Sequence, residues 1–304
     1  MSALKLYPSF IKIRFLLKFL FCVLPHATCR IPAAICHALC KKLPLAPSSW
    51  NGFTGALMAN THPAQLQAIL PPTIDAYDAW VSSREMSPAR GGYVMPLLPG
   101  HPDWMENMSE RRLQMTQGIL ALKHVLDSGY QPSNIISGGD SAGGYLALGV
   151  LAHLHRPRPT SEREEEGHID LQGTIKGFFL VSPLSSFGFT APSYQRWFSA
   201  GVLIRSVVDK WGQSLLGMAL DVRQTWWGNL NAVGFILATG GYEEVFSDDI
   251  HQLGAMLRKH SKGEVTLYME NEANDGPLMV FAAGRPPSAT SNAITDFIIA
   301  CLKV

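Results

Sequence analysis

Residues 138–144 read Gly-Gly-Asp-Ser-Ala-Gly-Gly, the spacing of a serine set up as a nucleophile. A serine hydroxyl attacks a carbonyl effectively only when it is presented clear of the backbone and partnered by a base. The pattern Gly139-Asp140-Ser141-Ala142-Gly143 meets the first condition: a strand arrives, turns sharply on the serine and leaves as a helix. Gly139 and Gly143 let strand and helix pass closely, while Ser141 itself sits in a strained backbone conformation. The Ala142 N–H, at the start of the helix, then faces the oxyanion that develops on the attacked carbonyl. The plainer alternative is a tight glycine turn carrying a bystander serine.

Such an elbow needs a strand before Ser141 and a helix after it. Short, continuous apolar runs are the mark of strands buried on both faces, and they predict strands at 134–137, 175–181, 233–239 and 264–269. Helical patterns fall at 62–82, 109–128, 142–155, 201–219, 249–260 and 290–303. Ser109 with Glu110 reads as a cap and Gly129 as a stop. Strand alternating with helix is the pattern of a parallel sheet with helical crossovers, so the class is α/β. The stretch RPRPTSEREEEG (156–167) reads as a polar surface loop.

GGDSAGG, together with IDAYDAWV, GGYVMPLLPGH, SNIISGGDSAGGYLALGVLAHL, the pair Trp226-Trp227 and ILATGGYEEVFSDDI, resembles the hormone-sensitive-lipase-like α/β-hydrolases. The resemblance is strongest to a fungal branch related to steryl acetyl hydrolases. It implies an α/β-hydrolase-type parallel sheet under an N-terminal helical cap, with no cofactor and no metal. It also implies hydrolysis of carboxylic esters, often acetates of sterols or polyketides, and several members belong to secondary-metabolite pathways. The family's oxyanion motif, His-Gly-Gly-Gly followed by Phe or Tyr, falls on Ala89-Arg90-Gly91-Gly92-Tyr93. Gly91 and Gly92 keep their backbone donors; the His and the first Gly are gone. The strand that should precede this motif is missing, as is one before the 109–128 helix. The sheet is therefore expected to hold about five strands, fewer than the family's full set.

The resemblance orders the remaining groups as serine, acid, then histidine. Glu243 falls on the acid position, with Glu244 and Asp248 as alternatives. Asp248 and Asp249 also read as helix N-terminal acids stabilised by the dipole. The base departs from the family. The histidines stand at 26, 37, 62, 101, 124, 153, 155, 168, 251 and 260, and none follows the last predicted strand. The family's His–Asp pair falls on Asn274-Asp275, and an asparagine cannot take a proton from Ser141. His251, beginning the helix after Glu243, is the substitute from the C-terminal half, and His101 a weaker one. His260 ends the same helix at the far edge of the sheet. The expected set is Ser141 as nucleophile, Glu243 as orienting acid and His251 as base.

The chain has 304 residues, 47% hydrophobic and 16% charged, which supports a large core and argues against disorder. A net charge of +1 carries no footprint of a nucleic-acid binder. The charge is unevenly placed. Residues 1–74 hold seven basic groups (Lys5, Lys12, Arg14, Lys18, Arg30, Lys41, Lys42) and no acid, while the remainder holds 18 basic against 24 acidic residues. This divides the chain into an N-terminal segment, 1–74, and a hydrolase core, 75–304. Within the first, SFIKIRFLLKFLFCVL (9–24) is closed by Pro25, and a second apolar piece runs from 31 to 40. Cations among Phe and Leu suit a helix in a membrane interface, where headgroups attract the charges and acyl chains accept the rings. A cap helix over a substrate pocket is the alternative. No apolar run reaches the roughly 18 residues of a membrane span, and Pro25 and Pro32 are expected to interrupt any single helix. Cys22, Cys29, Cys36 and Cys40 then read as packed or lipid-facing free thiols. Cys36-His37-x-x-Cys40 is a poor approximation of a zinc site.

The function expected is hydrolysis of an apolar small-molecule ester, at the cytosolic face of a membrane such as the endoplasmic reticulum or in the cytoplasm. The membrane partner would be met through residues 9–40, and no nucleic-acid partner is expected. The alternative is a catalytically impaired relative that serves as a binding or accessory protein.

Overall fold

Four apolar stretches form strands β1 (Ile136–Asp140), β2 (Ile175–Val181), β3 (Val233–Gly241) and β4 (Glu264–Glu270). They pair side by side, all parallel, in the order β1-β2-β3-β4. These coordinates come from a computed structural model, which describes residues 16–41, 53, 56–57, 60–61, 110–155, 169–186, 190–197, 230–271 and 287–303. The chain divides into two compact units, one of Met1–Pro96 with Trp197–Trp211, the other of Leu97–Arg196 with Gly212–Val304.

In the second unit, α2 (Glu110–Asp127), α3 (Ala142–His155), α4 (Pro192–Trp197), α5 (Ser247–His260) and α6 (Ala289–Lys303) accompany the sheet. Alternation along the strands sends successive side chains to opposite faces. Phe178, Leu180, Ile236 and Ala238 share a buried cluster with Ile119 of α2, Leu151 of α3 and Leu257 of α5. Val181, Leu237 and Phe179 pack with Ile294 and Phe297 of α6 on the other face. Helices on both faces are the reason β2 and β3 read as unbroken apolar runs rather than alternating ones.

The structure moves several expected boundaries. β1 starts later than residue 134, because Pro132 opens a 3-10 turn over Pro132–Asn134. It also carries Gly138, Gly139 and Asp140 in the ladder, opposite Phe179, Leu180 and Val181. The described residues hold four strands. The short helix α4 was not anticipated; Pro192 opens it, where a fixed φ and a missing N–H cost nothing. The helices expected at 62–82 and 201–219, the loop 156–167 and the residues Gly91, Gly92, His101, Trp226, Trp227, Asn274 and Asp275 lie outside the described residues.

The largest correction is in the first unit. Residues 16–41 are helical throughout, with a π-helix at Phe19–Val23 that runs into α1 (Leu24–Lys41). Neither proline ends it. The Leu24 N–H bonds the Phe19 carbonyl, a wide turn directly ahead of Pro25 that accommodates its ring. Pro32 is carried inside α1 at the loss of one helical hydrogen bond. The two apolar pieces therefore fuse, and Leu16–Ala33 is long and apolar enough by length and composition to cross a membrane, with only 11% of it buried. Val23, Ala27 and Ala56 are buried, the Phe19 ring meets Phe53 edge-on at 6.4 Å, and His26 Nδ1 stands 2.9 Å from Asn60 Nδ2. Leu16, Leu17, Leu20, Phe21 and Leu24 remain exposed.

Candidate active site

Parallel strands all end at one edge, so residues that follow β1, β2 and β3 gather there. Each of the first residues past a strand hangs from the neighbouring strand. Ser141 N–H donates to the Val181 carbonyl (2.8 Å), Ser182 N–H to Thr239 (2.8 Å) and Tyr242 N–H to Glu270 (2.9 Å). Ser141, Ser182 and the Tyr242-Glu243 turn are thus held in register along the C-terminal edge of the sheet.

Ser141 has φ 54°, in the left-handed region that non-glycine residues avoid. Its surroundings over-determine it: besides the bond to Val181, its carbonyl accepts the N–H groups of Tyr145 (3.1 Å) and Leu184 (3.2 Å). The glycines around it do different jobs from those expected. A Cβ on Gly139 would overlap the Gly143 carbonyl, so strand and helix touch backbone to backbone there. A Cβ on Gly144 would come within 2.9 Å of Pro183 Cβ, whereas one on Gly143 would meet nothing within 4 Å. Gly139 and Gly144 provide the close approach; Gly143 contributes its backbone, and its side-chain position is open.

Ala142 is the exposed first residue of α3. Its N–H has no acceptor within the helix and sits at the positive end of the dipole, where an oxyanion is favoured. Burial pushes the Asp140 carboxyl above its ordinary range. Among the described residues, nothing hydrogen-bonds the Ser141 hydroxyl.

The acids past β3 separate by their partners. Glu244 Oε2 accepts the Ser182 hydroxyl at 2.8 Å. Asp248 accepts the Ser193 N–H at 2.8 Å and pairs with Arg196 Nη2 at 2.8 Å. Asp249 Oδ2 accepts the buried Tyr194 hydroxyl at 2.8 Å. Burial raises the Asp249 carboxyl and the neighbouring Asp248 charge adds to that, while the Tyr194 hydrogen bond opposes it. Burial, then the Asp249 charge, pushes the Tyr194 hydroxyl well up. Glu244 and Asp248 therefore brace α4 and the end of β2, and Glu243 stands half-buried in the turn between them and β3.

His251 lies in the second turn of α5, exposed, its ring 5.4 Å from that of Tyr242 at an interplanar 34°. It makes no hydrogen bond to Ser141. His260 closes α5 and its carbonyl accepts the Leu230 N–H at 2.9 Å, at the end away from the elbow. The structure brings Gly139, Asp140, Ser141, Ala142 and Gly143 together and places Glu243 in the turn after β3 and His251 within α5. Ser182, also at positive φ (40°), was missed. Its signal is Ser182-Pro183 directly after an apolar strand. Among the described residues no group of three or more His, Cys, Asp or Glu could hold a metal ion.

A family model described as the alpha/beta hydrolase fold matches residues 110–275, more than half of the chain. The chain belongs to the alpha/beta hydrolase fold family. The matched stretch of this alpha/beta hydrolase opens with α2, contains all four strands and both serines at positive φ, and ends on Asp275. Its chain is similar to EstE5 in a crystal soaked with ethyl alcohol, at 21% identity over 62% of this chain and 60% of that one, with a TM-score of 0.47. An esterase/lipase from an uncultured bacterium matches at 21% identity over 62% and 59%, with a TM-score of 0.45. An esterase from the bacterial hormone-sensitive lipase family matches at 20% over 60% and 57%, with a TM-score of 0.44. The chain spans less than two thirds of the length of these solved structures. No curated protein matches it.

Proposed function

We propose that this alpha/beta hydrolase cleaves carboxylic esters of hydrophobic small molecules through Ser141. The observation that carries the proposal is the strained Ser141 backbone, φ 54°, held by three backbone hydrogen bonds directly ahead of the α3 N-terminus. In the proposed cycle Ser141 Oγ attacks the ester carbonyl and His251 takes the serine proton. The Ala142 N–H stabilises the oxyanion, a role that the motif resemblance also gives to Gly91 and Gly92, and the alcohol leaves with the proton from His251. Water then repeats the sequence on the acyl-serine. Glu243 orients the imidazole, and the Tyr242 ring beside His251 supports that role. The preference for sterol or polyketide acetates, and a place in fungal secondary metabolism, rest on the resemblance of the motifs alone.

Turnover of p-nitrophenyl acetate and butyrate by the purified chain tests this, beside Ser141→Ala, His251→Ala and Asn274→His. Turnover lost in both alanine variants supports the set as proposed; turnover that survives Ser141→Ala overturns it. Asn274, standing where the family has its histidine, favours a second reading, an impaired hydrolase that binds an apolar ester and cleaves it far more slowly than a complete triad would. A gain on Asn274→His is the result expected of that reading.

The N-terminal segment, 1–74, is proposed as a membrane-associating element beside the hydrolase core of 75–304. Its support is the exposed Leu16, Leu17, Leu20, Phe21 and Leu24 on a helix whose segment carries seven cations and no acid. The chain should sediment with phosphatidylserine vesicles and be released by salt; no sedimentation would leave the segment as a cap.

A further inference from the structure

Because residues 16–41 form one helix through both prolines, the cysteine spacing acquires a geometry. Seven residues are close to two turns, so Cys22, Cys29 and Cys36 fall on one side of the helix with a drift of about 20° per step. Cys40 follows Cys36 by one turn. All four thiols are free and exposed, while the fifth cysteine, Cys301, is buried. Successive members of the row spaced by seven lie about 10 Å apart along the axis, beyond the roughly 7 Å that a disulfide spans. No metal-binding cluster includes them among the described residues. Leu20, Phe21 and Leu24 are exposed on the same helix, and Lys18 lies one turn ahead of Cys22. A row of accessible thiols on an amphipathic helix at a membrane surface is the arrangement in which thioester-linked acyl chains are added and retained.

We propose that Cys22, Cys29, Cys36 and Cys40 are sites of S-acylation that turn a reversible contact of this helix with the membrane into a stable one. The inference rests on the membrane reading above. A cysteine thiolate attacks the carbonyl carbon of a long-chain acyl thioester, forming a new C–S bond. The donor's own C–S bond breaks, its thiolate leaves, and it takes up the proton that the cysteine gave up; nothing is oxidised or reduced. One acyl chain gives only marginal binding, so stable anchoring takes a second chain or a basic patch. This helix offers both.

The test uses the full chain from a eukaryotic host with S-acyltransferases. Free thiols are blocked, thioesters are cleaved with hydroxylamine, and the released thiols are tagged with a polyethylene-glycol maleimide. Hydroxylamine-dependent tags, up to four, are expected. They should vanish in the variant Cys22→Ser/Cys29→Ser/Cys36→Ser/Cys40→Ser and persist in Cys301→Ser. The quadruple variant should melt as the wild type does, yet lose at least tenfold in salt-resistant membrane retention. No hydroxylamine-dependent tag, or tags that survive in the quadruple variant, would overturn the proposal. Unacylated chain on phosphatidylserine vesicles reports separately on the membrane reading: binding without tags sinks S-acylation alone, and tags without vesicle binding sink the electrostatic docking alone.

Discussion

The Ser182 hydroxyl donates to Glu244 Oε2 across 2.8 Å, tying the residue after β2 to the turn after β3. Ser182 is one of two described non-glycine residues at positive φ; the other is Ser141. Both directly follow a strand, and each is anchored by its N–H to the next strand. The edge of the sheet that carries the proposed nucleophile thus stores its backbone strain in two neighbouring serines, where surrounding bonds prevent relaxation.

Glu243 and Glu244 should separate on mutation. Glu244→Ala leaves the buried Ser182 hydroxyl without its carboxylate and should cost about 1.5 kcal/mol, a fall of several degrees in Tm. Glu243→Gln should lower kcat by roughly tenfold or more, through a misoriented base. Calorimetry and steady-state kinetics on both variants check this. Two variants with the same Tm loss and the same kcat would show that the acids share one structural role.

The strain at Ser141 predicts a gain in stability on losing function. A left-handed non-glycine residue costs about 1–2 kcal/mol, and glycine returns part of that through the entropy of the unfolded chain. Ser141→Gly should therefore be more stable than Ser141→Ala by about 0.5–1 kcal/mol, with both variants at background turnover. Urea midpoints at constant slope measure the difference. A less stable glycine variant would mean that the φ of 54° is not strained in this setting.

Gly139 and Gly143 should differ sharply. Gly139→Ala forces a methyl into the Gly143 carbonyl, backbone that cannot swing aside, and should cost about 3 kcal/mol or more. Gly143→Ala projects into open space within the first turn of α3 and should be neutral, or stabilising by up to about 1 kcal/mol. Soluble yield and thermal melts of the two variants decide the matter.

Asp249 makes a pH prediction. Its carboxyl is raised above the ordinary 3.8, chiefly by burial, so the folded state holds the proton more tightly than the unfolded chain does. Stability is then unpenalised below about 3.8, falls as pH rises through the folded value, and stays reduced above it. Asp249→Asn keeps an acceptor for Tyr194 and removes the charge. It should match or exceed the wild type at pH 7, with the difference shrinking toward pH 4. Urea unfolding at both values gives the comparison, and an asparagine variant weaker at pH 7 would show that the Tyr194 bond to the charged form outweighs burial.

Much of the core was legible locally. β2 spans the predicted residues, and β4 and α3 match to within a residue, because an apolar run between turn residues, or a helical pattern after a glycine elbow, specifies its own backbone. The elbow was legible for the same reason: Gly139 and Ser141 are neighbours in the chain, and the strain is local. The structural roles of Glu244 and Asp248 were not, since their partners Ser182, Ser193 and Arg196 stand more than fifty residues away in the chain. The N-terminal helix shows the same limit. Pro25 and Pro32 read as breaks because each removes a hydrogen bond, yet a π-turn at Phe19–Val23 and the packing of Phe19 on Phe53 carry the helix through. Sequence determined which segments are helix, strand and nucleophile elbow, because those preferences act between near neighbours. Tertiary structure decided which carboxylates are bound and which thiols line up, because both depend on groups that only folding brings together.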